Sequence, residues 1–345
     1  MGCQEYCSRP CLLVAAGIRW TPVAFISGIL IWSYYAYVFE LNFVIVSNPW
    51  EKSVYLMFYH ILLLLLVWSY LKTILSDAGK VPSSWRLTTP MNERLKAAKT
   101  EEDWKSLLEL FRVEMELPPV LQRSVQGAIR YCEKCGIIKP DRSHHCSVCG
   151  SCIRKMDHHC PWVNNCVAFN NYKFFLLFLG YALIFCIYIA ATSFQYFLLF
   201  WSQRLNSTGS AKFHVFFLLL VSVLFFLSVS SLFWYHIYLV LHNRTTLEQF
   251  RAPYFRNGTQ DERGWSLGSK NNLREVFGSR PILWFLPIHT SMGDGLVYPS
   301  RISSGVCNSD CESQGNDKCV ATEVLYERDS KTSVRVVSDP FSSSH

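Results

Sequence analysis

Four long apolar stretches constrain this chain more than any other feature of its sequence. Each is near or above the ~20 apolar residues that an α-helix needs to cross a bilayer. Lys72, near the end of the second stretch, is the one Lys or Arg among them. Helices of a soluble core rarely run so far with so little charge, so we predict transmembrane helices. The predicted spans are Thr21–Val46, Val54–Leu75, Phe174–Trp201 and Val215–Leu241.

Composition agrees with a membrane protein, since half of the 345 residues are apolar and only 17% are charged. A typical soluble domain carries about 25% charged residues. The first apolar run begins after Arg19 and is too long for the apolar core of a signal peptide. We therefore expect this run to be a retained membrane anchor.

The distribution of basic residues predicts the orientation in the membrane. Ser76–Lys173 carries 15 Lys and Arg, whereas Ser47–Ser53 carries one and Ser202–His214 carries two. Because positively charged loops stay inside, the central segment and both termini are predicted to be cytosolic. We interpret the net charge of +7 as a consequence of this topology and as a source of attraction to anionic lipid. Nucleic acid is not a predicted partner.

The segment between spans two and three contains seven cysteines and four histidines within Cys132–Cys166. Their order is Cys-x2-Cys-x9-His-Cys-x2-Cys-x2-Cys-x4-Asp-His-His-Cys-x5-Cys. Cytosolic cysteines are kept reduced, and Cys-x2-Cys steps let two thiolates reach one ion, so we predict zinc binding. Two tetrahedral sites need eight ligands, which leaves three of the eleven candidates free for chemistry.

Asp157-His158-His159-Cys160 places a carboxylate, imidazoles and a thiol together. One histidine can bind zinc while the other acts as a general base oriented by the aspartate, with the thiol as nucleophile. Nearby cations would help to hold a thiolate or bind phosphates; they are Lys134, Lys139, Arg142, Arg154 and Lys155. The alternative is a non-catalytic zinc adaptor of the RING or LIM type. Its RING form is disfavoured because RING ligand pairs are further apart.

The spacing of these residues closely resembles the DHHC family of protein S-acyltransferases (palmitoyltransferases). The resemblance covers about residues 15–290, including a Thr-Thr-x-Glu motif at Thr245–Glu248 and a C-terminal motif from Asn272 to Gly278. Two residues depart from the family pattern: Ala78 stands where proline is usual, and Ala168 where glycine is usual. Neither is a metal ligand or nucleophile in the family, so we expect activity to be retained.

The resemblance implies a role for individual residues. Cys160 would take a fatty acyl group from acyl-CoA, His158 would be its base, and Asp157 would orient His158. One structural zinc would be held by Cys132, Cys135, His145 and Cys152. The other would be held by Cys146, Cys149, His159 and Cys166. The acyl-CoA contacts would be Lys139, Arg142 and His144 for the head and Ser33 and Phe185 for the closed end of the chain cavity.

The implied function is transfer of a long-chain acyl group from palmitoyl-CoA to cysteine thiols of membrane-associated proteins through acyl-Cys160. The alternative is a catalytically silent, membrane-anchored zinc adaptor. Palmitoyl-CoA, cysteine-containing proteins and the bilayer are the expected partners. The family's usual addresses are the Golgi and plasma membrane, with the endoplasmic reticulum as a further possibility.

The predicted fold is an all-α membrane protein with four transmembrane helices and a cytosolic, loop-rich two-zinc Cys/His domain between spans two and three. An amphipathic helix is predicted over Asn92–Leu117. Cys3, Cys7 and Cys11 are candidate acylation sites, and Asn206 begins a glycosylation sequon. The predicted segments are a cytosolic N-terminus (1–19), spans one and two (20–75), a cytosolic segment (76–173, zinc domain about 130–170), spans three and four (174–241), a C-terminal motif region (242–290) and a disordered tail (291–345).

Overall fold

The computed structural model describes residues 9–202 and 209–300. Helices dominate this part of the chain. They are α1 Arg9–Tyr34, continued by a π-helical segment Tyr35–Ile45, α2 Pro49–Leu75, α3 Thr89–Ala97, α4 Glu101–Glu114, α5 Tyr172–Trp201, α6 Gly209–Leu241, α7 Thr246–Phe250 and α8 Ser269–Phe277. The strands have two or three residues each: β1 Gln122–Arg123, β2 Tyr131–Cys132, β3 Ile137–Ile138, β4 His144–Cys146, β5 Ser151–Ile153, β6 His158–Cys160, β7 Asn165–Val167 and β8 Tyr254–Phe255.

The four predicted spans are confirmed within the described residues. Four helices are long and apolar enough to cross a membrane, at Gly17–Ile45, Pro49–Leu75, Tyr172–Trp201 and Gly209–Leu241. The second begins earlier than the apolar run suggested, because the Asn48 side chain accepts a hydrogen bond from Trp50 N and Pro49 occupies the first helical position.

The helix α5 is the centre of the membrane bundle. In α5, 61% of the most apolar stretch is buried within the protein, against 17–22% in the other three spans. It packs on α2 and α6, and on α2 the ring of Tyr70 stacks on Phe178 with centroids 4.7 Å apart. The remaining spans therefore present most of their apolar surface to lipid.

Three β-hairpins in series form the cysteine-rich domain. They are β2–β3, β4–β5 and β6–β7, each antiparallel. In the second hairpin His145 lies opposite Cys152, and in the third His159 lies opposite Cys166. Their strands are short, so this pairing contributes little stability by itself. Metal ligation across the hairpins would supply what the domain lacks in apolar core.

The predicted helix over Asn92–Leu117 is wrong in its continuity, because the chain forms α3 and α4 with a break between them. Thr100 ends the break by forming a capping box with Asp103, and a Thr-x-x-Asp signal for it is present in the sequence. Both helices pack on the first hairpin, where Leu108 and Ile138 are fully buried in one cluster. The hydrophobic face of these helices thus packs against the cysteine-rich domain.

The predicted start of a disordered tail at residue 291 is too early. Tyr298 is 5% exposed and packs on the guanidinium of Arg142, 5.2 Å from the ring centroid. Ser300 Oγ donates to Gly264 O at 3.0 Å. Residues up to Ser300 therefore belong to the folded unit. The side chains of Cys3, Cys7 and Cys11, the sequon at Asn206 and residues 301–345 lie outside the described part of the chain.

Candidate metal centres and active site

The first candidate metal centre joins the turn of the first hairpin to the strands of the second. All four ligand atoms lie within 4.8 Å of one another. His145 Nδ1 is 3.6, 3.2 and 3.9 Å from the sulfur atoms of Cys132, Cys135 and Cys152. A tetrahedral zinc ion with ordinary bond lengths separates its sulfur and nitrogen ligands by about 3.6 Å. This donor set fits zinc.

The second centre repeats this arrangement one hairpin further along the chain. His159 Nδ1 is 3.6, 3.5 and 3.5 Å from the sulfur atoms of Cys146, Cys149 and Cys166. The sulfur atoms of Cys149 and Cys166 are 3.5 Å apart, and tetrahedral zinc calls for about 3.8 Å. Both groups can hold a metal ion, and both contain four protein ligands, as structural zinc sites do.

The interleaving explains why ligands far apart in sequence converge. Each centre takes two thiols from a Cys-x2-Cys turn and a directly opposed His–Cys pair from the next hairpin. Two ions would therefore lock the three hairpins into one rigid unit. The structure brings together the same two groups of four that the resemblance implied, and it leaves His144, His158 and Cys160 outside them.

Asp157 and His158 form the centre of a hydrogen-bonded array beside the second metal group. His158 Nδ1 is 2.6 Å from Asp157 Oδ2. Thr246, at the start of α7, donates its backbone N–H to Asp157 Oδ1 at 2.9 Å and its hydroxyl to Oδ2 at 2.7 Å. Burial by itself would raise the pKa of Asp157, but hydrogen bonds from His158 and Thr246 outweigh burial and hold that pKa below its ordinary value.

His158 connects this carboxylate to the thiol of Cys160. Burial would lower the pKa of His158, but hydrogen bonds with Asp157 and Cys160 raise it to about 9. Since Nδ1 is held by the carboxylate, Nε2 is the nitrogen left to face the thiol. The arrangement can take a proton from a thiol and return it.

Cys160 lies at the end of the membrane bundle. It is 6% exposed and belongs to the same apolar cluster as the buried side chains of α2 and α5. Its strand partner Asn165 donates to the last carbonyls of the α2 region, including Ser76 O at 2.8 Å. Tyr70 donates to Trp162 O at 2.9 Å. The thiol is therefore held where the polar domain meets the apolar spans.

Comparison with known proteins agrees with this architecture. Residues 125–253 match the family described as DHHC palmitoyltransferase. Palmitoyltransferase ZDHHC15 of Xenopus laevis is 45% identical over 95% of this chain and 93% of its own. Human palmitoyltransferase ZDHHC2 is 50% identical over 82% of this chain and 76% of its own, and human palmitoyltransferase ZDHHC20 is 49% identical over 83% and 78%.

The chain belongs to the DHHC palmitoyltransferase family. The predicted resemblance is confirmed, and with it the class of enzyme, a protein S-acyltransferase. The predicted fold is also confirmed: the described residues form four candidate spans, with a Cys/His-rich region between the second and the third.

The prediction that Arg142 contacts the CoA head is wrong. Its side chain is fully buried, and its Nε and Nη2 donate to the two Glu248 oxygens at 2.9 and 2.7 Å. Two further N–H groups donate to Asn243, from Nη1 to Oδ1 at 2.8 Å and from Nη2 to the carbonyl oxygen at 2.9 Å. Nη1 also lies 3.7 Å from Glu275 Oε1, and the guanidinium is 0% exposed, so it cannot reach a CoA phosphate. The charge was visible in the sequence, but its burial against the Thr-Thr-x-Glu motif was not.

His144 and Lys139, the other predicted contacts of the CoA head, differ in character. Burial lowers the pKa of His144 to about 3, so the ring is neutral and offers no positive charge to phosphate. No described residue hydrogen-bonds its Nε2. Lys139 is half-buried and makes a backbone hydrogen bond to Arg130 O at 2.7 Å. Lys139 remains the candidate for a phosphate contact.

The predicted chain-length residues meet deep among the spans. Ser33 Oγ is 3.4 Å from Tyr59 OH, and the Tyr59 ring lies 5.1 Å from that of Phe185. Tyr37 stacks on Tyr59 at 4.3 Å. The structure thus brings Ser33 and Phe185 together through Tyr59, which the sequence analysis passed over. A tyrosine in a Leu-rich span gave only a weak signal.

His236, on the fourth span, was not predicted from the sequence as a functional residue. His236 is buried beside His158, with ring centroids 5.8 Å apart. Its presence within an apolar span was the available signal, because ionisable residues at such positions are costly and often functional.

Proposed function

We propose that Cys160 is the nucleophile of this protein S-palmitoyltransferase and carries the acyl group between donor and acceptor. The observation that carries the proposal is the Asp157–His158 pair at 2.6 Å with Cys160 as the second partner of the imidazole. A thiol beside an oriented imidazole is the arrangement that nucleophilic catalysis requires.

The transfer has two steps. First, the Cys160 thiol loses its proton to His158, and the thiolate sulfur bonds to the thioester carbonyl of acyl-CoA. The bond from that carbonyl to the CoA sulfur breaks, and CoA leaves with the proton from His158. In the second step His158 takes the proton of an acceptor cysteine, whose sulfur bonds to the acyl carbonyl. Cys160 then leaves and recovers the proton, so the enzyme is unchanged.

Thr246 and Asp157 act on this chemistry through His158. Asp157 holds Nδ1 of the ring, and Thr246 holds both oxygens of Asp157. The carboxylate stays ionised because its pKa is held low, so it stabilises the imidazolium that forms when a thiol proton is accepted.

The acyl chain of the donor would enter the membrane bundle from Cys160. The position of this thiol within the apolar cluster of the spans supports a substrate with a long apolar tail. Ser33, Tyr59 and Phe185 would form the closed end and set the preferred chain length. Lys139 would meet a phosphate of the CoA head.

The zinc ions would be structural. The ligand groups Cys132, Cys135, His145, Cys152 and Cys146, Cys149, His159, Cys166 would each hold one. Their chemistry is to cross-link the hairpins that carry His158 and Cys160, since four protein ligands leave no position for substrate.

The proposed topology places the zinc domain and both termini in the cytosol, where acyl-CoA and peripheral acceptor proteins are found. The 15 basic residues of Ser76–Lys173 support this orientation. Golgi or plasma membrane residence is part of the same proposal, by family resemblance alone.

Acyl-enzyme formation tests the proposal directly. Detergent-purified protein is incubated with labelled palmitoyl-CoA and treated with or without hydroxylamine, beside Cys160→Ser and a Cys186→Ser control. Label that hydroxylamine removes, and that only Cys160→Ser abolishes, is the expected result. Equal label in Cys160→Ser would make other cysteines the acceptors. Zinc-loaded wild-type protein without label would favour the adaptor hypothesis.

A further inference from the structure

His236 on α6 lies against the catalytic pair and has no part in the transfer just described. It is 2% exposed. One side-chain atom each of Asp157, His158 and His236 lie within 4.8 Å of one another. An imidazole kept in an apolar span at this distance from the reacting groups calls for a function.

The orientation of His236 is determined by α5. Its Nδ1 is 3.1 Å from the hydroxyl of Tyr172, which is itself buried at the start of α5. Phe175, one turn later, makes edge-to-face ring contacts with both histidines. The centroid separations are 5.0 Å to His236 and 5.5 Å to His158, with interplanar angles of 82° and 71°. The His158 ring is thus enclosed by side chains of two membrane helices.

These contacts supply a restraint that the carboxylate cannot. The hydrogen bond that His158 Nδ1 donates to Asp157 limits the position of one atom of the His158 ring, yet it permits the ring to tilt about that bond. Catalysis by a base requires its other nitrogen to stay within hydrogen-bond reach of the thiol. Phe175 and His236 occupy the space into which the ring would tilt.

We propose that His236 is a positioning residue for His158, holding the imidazole so that its free nitrogen faces Cys160, with Tyr172 fixing His236 in turn. This inference rests on the proposed roles of Cys160 and His158. A third metal centre is the other use of the same three side chains. It is disfavoured because both Asp157 oxygens and the Nδ1 atoms of both histidines are already hydrogen-bonded.

The test compares variants of the full chain in a step-resolved assay with labelled palmitoyl-CoA. His236→Phe keeps the ring volume but removes the nitrogen that Tyr172 holds, so the ring beside His158 is no longer fixed in place. His236→Gln keeps a hydrogen-bond partner for Tyr172. His214→Phe is the matched control, because it makes the same change near the other end of α6. Zinc content and Tm are measured for each variant.

The expected result is a loss of about 10- to 100-fold in kcat for His236→Phe, by analogy with the range found when a residue that orients a metal-ligating side chain is removed. The KM for palmitoyl-CoA stays unchanged, since His236 acts through His158 rather than on the donor. His236→Gln recovers part of the loss, and His214→Phe behaves as wild type.

A double-mutant comparison separates positioning from a general structural role. In a His158→Ala background, His236→Phe should cause no further loss, because the ring that it positions is gone. The same fold loss in both backgrounds would overturn the proposal, as would a kcat for His236→Phe equal to that of His214→Phe. If His236→Phe loses zinc, the Tyr172→Phe variant is used instead, because it removes only the hydroxyl that holds His236. An unchanged kcat in Tyr172→Phe would also overturn the proposal.

Failure of this inference is distinguishable from failure of the proposed function. If wild-type protein forms no acyl-enzyme, or Cys160→Ser still forms it, the nucleophile assignment fails. If wild type is labelled at Cys160 and His236 variants react at the same rate, only the role of His236 fails.

Discussion

The buried ion pair between Arg142 and Glu248 provides the sharpest test of how the C-terminal motifs support the active site. Arg142 is 0% and Glu248 3% exposed, and two hydrogen bonds of 2.9 and 2.7 Å join them. Glu248 also accepts from Thr245 N, which starts the short helix α7. The next residue, Thr246, holds Asp157. The pair therefore links the cysteine-rich domain, α7 and the carboxylate of Asp157.

The change Glu248→Gln removes the charge and keeps the shape. Breaking a buried pair by removing one partner costs about 3–5 kcal/mol, because the other charge is left uncompensated. Here Glu275 Oε1 remains 3.7 Å from Arg142 Nη1, so we expect the lower end, about 3 kcal/mol. At about 2–4 °C per kcal/mol for larger domains, Tm should fall by roughly 6 °C or more.

The assay follows thermal unfolding of the purified protein together with acyl-enzyme formation. Glu262→Gln is the matched control, because Glu262 pairs with Arg244 at 3.1 Å but its side chain is 66% exposed. Exposed pairs contribute about 0–1 kcal/mol, so this variant should resemble wild type. A Tm for Glu248→Gln equal to that of Glu262→Gln would refute the reasoning. So would a lower Tm with an undiminished rate, since loosening α7 should release Thr246 from Asp157.

Four further predictions concern the ion pair, Asp157, the metal groups and the acyl-chain cavity. Burial would raise the pKa of Glu248, but Arg142 outweighs burial and holds that pKa below its ordinary value of 4.5. The difference in Tm between wild type and Glu248→Gln should therefore stay constant from pH 7 to 4.5 and shrink at lower pH, as Glu248 is protonated. A difference that stays constant below pH 4.5 contradicts this prediction. Asp157→Asn should lower the acylation rate by about 10²–10⁴-fold while the exposed control Asp294→Asn does not, and equal rates would exclude the orienting role. A strong chelator should remove two zinc ions per chain and abolish acylation reversibly; full activity of metal-free protein would contradict a structural role. Phe185→Ala should widen the range of acyl-CoA chain lengths accepted, measured by competition between donors, and unchanged selectivity would exclude Phe185 from the closed end.

Sequence alone was sufficient for the features that depend on neighbours along the chain. Apolar length predicts the spans, since the bilayer requires about 20 apolar residues whatever surrounds them. Cys-x2-Cys spacing likewise predicts metal ligation, because a single turn brings both thiols to one ion. The helices Pro49–Leu75 and Glu101–Glu114 begin after the N-capping residues Asn48 and Thr100. Both starts are predictable from the sequence by the ordinary rules for helix capping.

The division of the ligands between two centres needed more than spacing. Eleven candidates allow many sets of four, and the family resemblance rather than geometry selected one. The structure provides the physical reason in the register of the hairpins, which places His145 opposite Cys152 and His159 opposite Cys166.

What only the tertiary structure decided is the environment of charged and polar groups. Arg142 was expected to meet a CoA phosphate, yet it is buried against Glu248 from a segment about a hundred residues later in the chain. Tyr59 between Ser33 and Phe185, and His236 beside His158, depend in the same way on which helices pack together. The sequence identifies which side chains carry a charge or a hydroxyl. The solvent and partners that determine what the group does come from chain segments that meet only in the fold.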